Sequence, residues 1–196
     1  ISEFDISRSG QSTGNTGFYG AGAYFTQDTD SAAGYAGWAQ RTEEDAPNLI
    51  PAYLSIQRPV YVHLNPKTEA HRARSRDTIG ALVDTLESEG FFGQAASANE
   101  AGSELARLRS FIEKADFERS MGTLYRLLNG GRGVSDLAQR AGFDGVLVYA
   151  TKDGRESLEE AVAFEPTQVK SATGNSGAFA PANADIRFSR TTAQSI

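Results

Sequence analysis

The chain has no cysteine, one methionine, one tryptophan and two histidines among its 196 residues. Without cysteine there are no disulfides, thiolate zinc sites or thiol nucleophiles. With only two histidines a protein-borne metal triad, or any metal site, is not expected. No stretch reads as 18 apolar residues in a row, so a membrane span is not expected either. No basic segment followed by an apolar one opens the chain, so no signal peptide is visible. Basic charge is also short: Lys and Arg total 19 against 25 Asp and Glu, a net charge of −6. A chain with pI near 5.0 is a poor general nucleic-acid binder.

What is present fits a soluble globular protein: 39% apolar and 22% charged residues. The length suits one domain, residues 1–196, better than two. Glycine is plentiful at 20 residues, which raises the question of where the backbone needs unusual freedom.

Periodicity divides the chain into three. Residues 1–40 are Gly-rich and aromatic, and Phe18 to Phe25 reads as a turn feeding a short strand. Asp28, Thr29, Asp30 and Ser31 are good N-cap residues for a helix from Ser31 to about Trp38. Ala52, Leu54 and Ile56, then Val60, Val62 and Leu64, alternate with polar or aromatic neighbours, which predicts two strands broken at Pro59. The middle is helical. Ile79, Leu82, Val83 and Leu86 form one apolar stripe; Leu105, Leu108, Ile112 and Ala115 a second; Phe117, Met121, Leu124, Tyr125 and Leu128 a third. A short helix over Ser135–Ala141 precedes Gly142, a C-cap candidate. Strands return at Gly145–Ala150 and Glu160–Phe164, with a turn at Lys152–Arg155. Residues 67–141 are neutral, with 11 basic and 11 acidic residues, so the net charge comes from the flanks.

Three features carry candidate chemistry. Tyr24, on the short strand, and Tyr35, on the following helix, could place two rings opposite each other as a clamp for a flat ligand. The same spacing also fits two core aromatics. Glu160 opens a strand, where a carboxylate can accept hydrogen bonds from a sugar hydroxyl or stabilise an oxocarbenium-like centre. It also fits a solvated acidic turn beside Glu156 and Glu159. Gly20-Ala21-Gly22 allows close backbone approach to a ligand, or simply a tight turn. It lacks the third glycine of a dinucleotide fingerprint, and no Gly-x-x-x-x-Gly-Lys loop is present.

Together these residues resemble the ADP-ribosyltransferases. Gly20-Ala21-Gly22-Ala23-Tyr24-Phe25-Thr26 followed by Ala32-Ala33-Gly34-Tyr35 is similar to the second motif of the diphtheria-toxin and poly-ADP-ribose-polymerase branch. Glu160-Ala161-Val162-Ala163-Phe164 is similar to its third motif. Gly142 to Val146, and the segment from Pro166 through Gly174, Phe179 and Asn183 to Phe188, resemble domains in phage and prophage proteins. The resemblance covers about residues 3–65 and 134–190, leaving a helical insertion at about 67–133.

The resemblance implies an α+β fold with split antiparallel sheets around an NAD cleft. It implies transfer of ADP-ribose from NAD to an acceptor, in a toxin- or effector-like domain. Tyr24 and Tyr35 would stack on nicotinamide, Gly22 and Ala23 would admit the cofactor, and Glu160 would hold the ribose, with Glu160 and Tyr24 the catalytic pair. Ala32 stands where many relatives have a serine that touches the nicotinamide amide. Position 158 is Leu158, so the Glu-x-Glu pair of arginine-modifying relatives is absent.

The family's first motif, a strand with a ribose-holding His, has no counterpart before Tyr24. That strand is expected upstream of Ile1, or its role is taken by Arg8. Lys170 and Arg187 are minority candidates for phosphate or acceptor contact; His63 reads as a sheet residue and His71 as a solvated helix residue. The expected partners are NAD and an acceptor, protein rather than nucleic acid, with no membrane, in a larger polypeptide or a phage or toxin assembly. The expected location is the bacterial cytoplasm or a target cell. The competing readings are a non-catalytic binding module of the same fold and an NAD glycohydrolase.

Overall fold

The computed structural model describes residues 4–6, 17–39, 49–90, 98–173 and 184–186. Arg8, Arg187 and the Gly174–Asn183 run of the sequence reading lie outside them. In chain order the elements are β1 (Ala23–Phe25), α1 (Thr29–Ala39), β2 (Ala52–Leu54), β3 (Pro59–His63), α2 (Glu69–Ser88), α3 (Ala98–Glu113), α4 (Phe117–Leu127), α5 (Gly131–Arg140), β4 (Gly145–Lys152), β5 (Arg155–Ala163) and β6 (Val169–Ser171). Among the described residues no helix is long and apolar enough to cross a membrane.

The strands form two sheets, as an α+β fold of the expected kind requires. One has the order β1-β5-β4-β3, and the other pairs β2 with β6. The expectation of purely antiparallel sheets holds at every junction but one: β3 runs parallel to β4. A parallel neighbour needs a long crossover, and the four helices between β3 and β4 supply it.

The amphipathic stripes pack where their period directs them. Ile79, Leu82, Val83 and Leu86 on α2, Leu108 on α3, Phe117, Met121 and Leu124 on α4, and Val134, Leu137 and Ala138 on α5 are all fully buried. They share one core with Val60, Val62, Val146, Val148 and Val162 of the main sheet. Each such Leu or Val contributes roughly 1.5–3 kcal/mol by leaving water. The helices therefore cover one face of the sheet. The opposite face carries a smaller core of Ala163, Val169 and Ile186, flanked by Phe4, Phe25, Ala52 and Leu54.

Polar side chains fix the joints. The Asp144 carboxylate accepts from the backbone N–H groups of Gln57 and Arg58, both at 2.8 Å. Gln168 donates to the carbonyls of Asp144 and Ser55, tying β6 to the β2–β3 connection. The backbone N–H groups of Tyr61 and His63 on β3 are taken by the hydroxyls of Thr78 and Ser75 on α2, each at 3.0 Å. Helix α5 ends as its sequence predicts. Gly142 takes φ +84°, and the Gly142 and Phe143 N–H groups bond the carbonyls of Gln139 and Ala138. Asp153 and Gly154 both have positive φ, the primed turn that suits a two-residue hairpin between β4 and β5.

Candidate functional site

Register decides which side chains meet. Tyr24 pairs with Val162, and Val146 with the same residue, so the Tyr24 side chain shares the helix-covered face of the sheet. Glu160 pairs with Val148 and lies on that face too. A β-bulge follows: Val148 opposes Glu160 but Tyr149 opposes Leu158, which leaves Glu159 without a cross-strand partner.

Helix α1 brings the third residue. Its start is fixed by Asp28, whose carboxylate accepts from the Asp30 N–H and the Ser31 hydroxyl. Tyr35 then lies over β5, and its hydroxyl donates to Glu160 Oε1 at 3.4 Å. Ala32 sits one turn earlier, on the same side of the helix. The structure thus brings Tyr24, Tyr35 and Glu160 together from three elements.

The two tyrosines are held differently. The Tyr24 hydroxyl donates to the Gly20 carbonyl at 2.8 Å and accepts from the Tyr19 N–H at 3.1 Å. Gly17 lies so close that an added Cβ would fall within the Tyr24 ring. Tyr24 is therefore pinned by its own turn, although 39% exposed, whereas Tyr35 is 63% exposed. Both rings keep open surface beside a carboxylate.

The electrostatics match a partly enclosed site. Burial pushes the Glu160 carboxyl above its ordinary value, the Tyr35 hydroxyl pulls it back down, and Glu159 adds to the rise. Tyr24 is pushed well up by burial, with the Glu160 charge contributing. Tyr35 is raised mainly by Glu160. Tyr19 belongs to the same group: it is buried and raised by burial and then by Glu160. The sequence marks Tyr19 only by its place next to Phe18 in the aromatic run before Gly20.

Gly22 and Ala23 stand differently from what the sequence led us to expect. A Cβ on Gly22 would lie 2.5 Å from the Ala163 carbonyl oxygen, so glycine here is already required by the approach of β1 to β5. Ala23 pairs with Ala163, and its side chain faces the smaller core, away from Tyr24 and Glu160. Lys170 is fully buried on β6, with Asp185 near enough to raise a pKa that burial lowers, and offers no open contact to a phosphate.

Two further groupings stand outside the expected set. A cavity of about 400 Å³ opens next to Phe18, lined also by Phe111, Tyr125, Arg107, Arg119 and Arg126 of the helices. On the other face of the sheet, the chain's two histidines converge on Glu156, where the sequence had set them apart as unrelated residues. Burial and the neighbouring His71 lower the His63 pKa.

Two sheets with helices packed on one face make the α+β fold that the resemblance to the ADP-ribosyltransferases implies. The model of one family, the ADP-ribosyltransferases in polyvalent proteins, matches residues 1–179, and the chain belongs to that family. The match runs through the helical middle as well as the flanks. No curated protein and no solved structure matches the chain.

Proposed function

We propose that the chain transfers ADP-ribose from NAD to an acceptor nucleophile, with Tyr24 and Tyr35 holding nicotinamide and Glu160 acting at the ribose. The observation that carries this reading is the hydrogen bond from Tyr35 to Glu160, residues 125 apart in sequence. It sets an open aromatic face directly beside the carboxylate. Nicotinamide stacked against Tyr35 and Tyr24 would bring its ribose to Glu160.

In the reaction the bond between ribose C1′ and the nicotinamide nitrogen breaks, and its electron pair leaves with nicotinamide. Positive charge develops at C1′, and the acceptor attacks there and loses a proton. Glu160 is the anion placed to accept a ribose hydroxyl and to stabilise that charge. Gly22 and Ala23 contribute backbone, and Ala32 contributes a small side chain one turn before Tyr35. The expected acceptor is a protein. Arg107, Arg119 and Arg126 line the cavity next to Phe18, the first two already paired with Glu104 and Asp116. The family's description, with its polyvalent proteins, supports a transferase unit within a longer, multi-activity polypeptide of the phage kind.

The test is release of nicotinamide from labelled NAD, with and without host lysate. Glu160→Gln is expected to lower release by about 100-fold or more, equal to about 2.7 kcal/mol of transition-state stabilisation, with an unchanged circular dichroism spectrum. Equal turnover in the variant and the parent would remove Glu160 from the reaction. Label that stays on lysate protein identifies transfer, and label released only as free ADP-ribose identifies hydrolysis.

A further inference from the structure

His63 is 3% exposed, and neither ring nitrogen has a hydrogen-bond partner. A buried polar group left in this way costs on the order of 1–3 kcal/mol, so a buried imidazole with both nitrogens unpaired requires an explanation. His71, at the start of α2, shares the condition: its Nδ1 is buried and unpaired. The Nε2 atoms of His63 and His71 both approach Glu156 Oε1, at 3.9 and 3.7 Å, too far for hydrogen bonds. The two rings lie nearly parallel, with centroids 4.4 Å apart. One donor atom from each of the three residues falls within 4.8 Å of the other two.

We propose that His63, His71 and Glu156 form a binding site for a zinc-class divalent cation. Two imidazoles and one carboxylate are a recurrent donor set for zinc, at about 2.0–2.2 Å each, with the fourth position left to water. Donors around a tetrahedral ion stand roughly 3.3 Å apart at those bond lengths, so this group closes by about 0.5–1.5 Å to reach it. A turn of the His71 ring and a rotamer change of Glu156, both near the surface, supply that movement. Composition strengthens the case. The chain has no cysteine and only two histidines, and both histidines stand in this one cluster.

The alternative is an ion pair between protonated imidazoles and Glu156. It would set two imidazolium rings face to face, beside the Arg74 guanidinium that already lies 3.9 Å from the same Oε1. Three cations on one carboxylate, one of them buried, is a poor arrangement. Arg74 also lies over the Tyr61 ring, at 4.8 Å from its centroid, and has a second resting place if the carboxylate turns to an ion. The three ligands come from β3, α2 and β5. A bound ion would therefore pin the start of α2 to the hairpin end of the strand that also carries Glu160.

The experiment uses tag-free full chain, stripped with a chelator and titrated with Zn²⁺ and, separately, Co²⁺. The expected result is one equivalent of Zn²⁺ per chain by competition with a chromophoric chelator, visible d–d absorption with Co²⁺, and a Tm raised by about 5 °C at saturation. His71→Ala and Glu156→Gln, both on accessible residues, are expected to weaken Zn²⁺ binding by roughly tenfold or more and to remove the Tm shift. Arg74→Gln is expected to tighten binding, because it removes a competing cation. With only two histidines, their ring signals in an NMR spectrum follow the titration directly, and both move together. Substoichiometric Zn²⁺ binding overturns the proposal. So does binding that is unchanged in both ligand variants. The outcome is independent of the transferase reading, which is tested with Glu160.

Discussion

Glu156 and Glu160 stand four residues apart on β5 and look in opposite directions. Glu160 shares a face with Val148 and Tyr24, meets the hydroxyl of Tyr35, and is raised in pKa by burial. Glu156 pairs with Thr151 on the other face and meets two imidazoles and a guanidinium. Strict alternation would put both carboxylates on one side, since residues 156, 158 and 160 share a parity. The bulge at Glu159 breaks that parity. Its side chain is taken up by Lys152, at 2.6 Å. One irregular residue lets a single strand serve two unrelated clusters, phenolic on one face and imidazole-rich on the other.

The separation of the two faces is open to chemical test. The largest effect is expected from Glu160→Gln, which should remove nicotinamide release and yet leave the Zn²⁺ equivalence measured for the parent. A joint loss of both properties would show that the two faces are not separate. A smaller, structural effect is expected from Gly22→Ala. Its Cβ must push aside the backbone of Ala163, so β1 moves away from β5, at a cost of about 1–3 kcal/mol in denaturant unfolding. Gly34→Ala is the control. Nothing lies within 4 Å of its Cβ, and alanine favours helix α1 by up to about 1 kcal/mol.

The smallest effect concerns pH. Folding raises the Glu160 pKa, so the ionised form is disfavoured in the folded state. That penalty is absent below the ordinary carboxylate pKa and complete above the raised folded value. Glutamine never carries it. Glu160→Gln is therefore expected to raise Tm slightly at neutral pH, with the gain disappearing below about pH 4 in thermal melts. A variant that loses turnover while gaining stability is what a functional, partly buried carboxylate should give.

Much of this architecture is legible in the sequence, for a physical reason. The stripes through Leu82, Leu108 and Leu124 repeat at the helical period, and all three residues are fully buried. Pro59 opens β3, and Gly142 takes the left-handed conformation its place after a helix requires. Other features depend on information that local pattern does not contain. The parallel pairing of β3 with β4 follows from where a chain of four helices returns. The bulge at Glu159 has no compositional mark. Tyr35 and Glu160 are seen as partners only through a family resemblance, because no spacing links residues so far apart. His63 and His71, eight residues apart across a strand end and a helix start, read as unrelated until the turn between them is built.

The hydroxyls of Ser75 and Thr78 have a consequence for the sheet as a whole. A lateral strand normally offers its free amides to any extended peptide, and so invites augmentation or aggregation. Here the Tyr61 and His63 amides are already satisfied by a helix, so the β3 margin is closed to strand addition. In a longer polypeptide, neighbouring segments cannot zip onto the domain from that side. The helix acts as a selvage, finishing the woven edge so that it neither unravels nor grows.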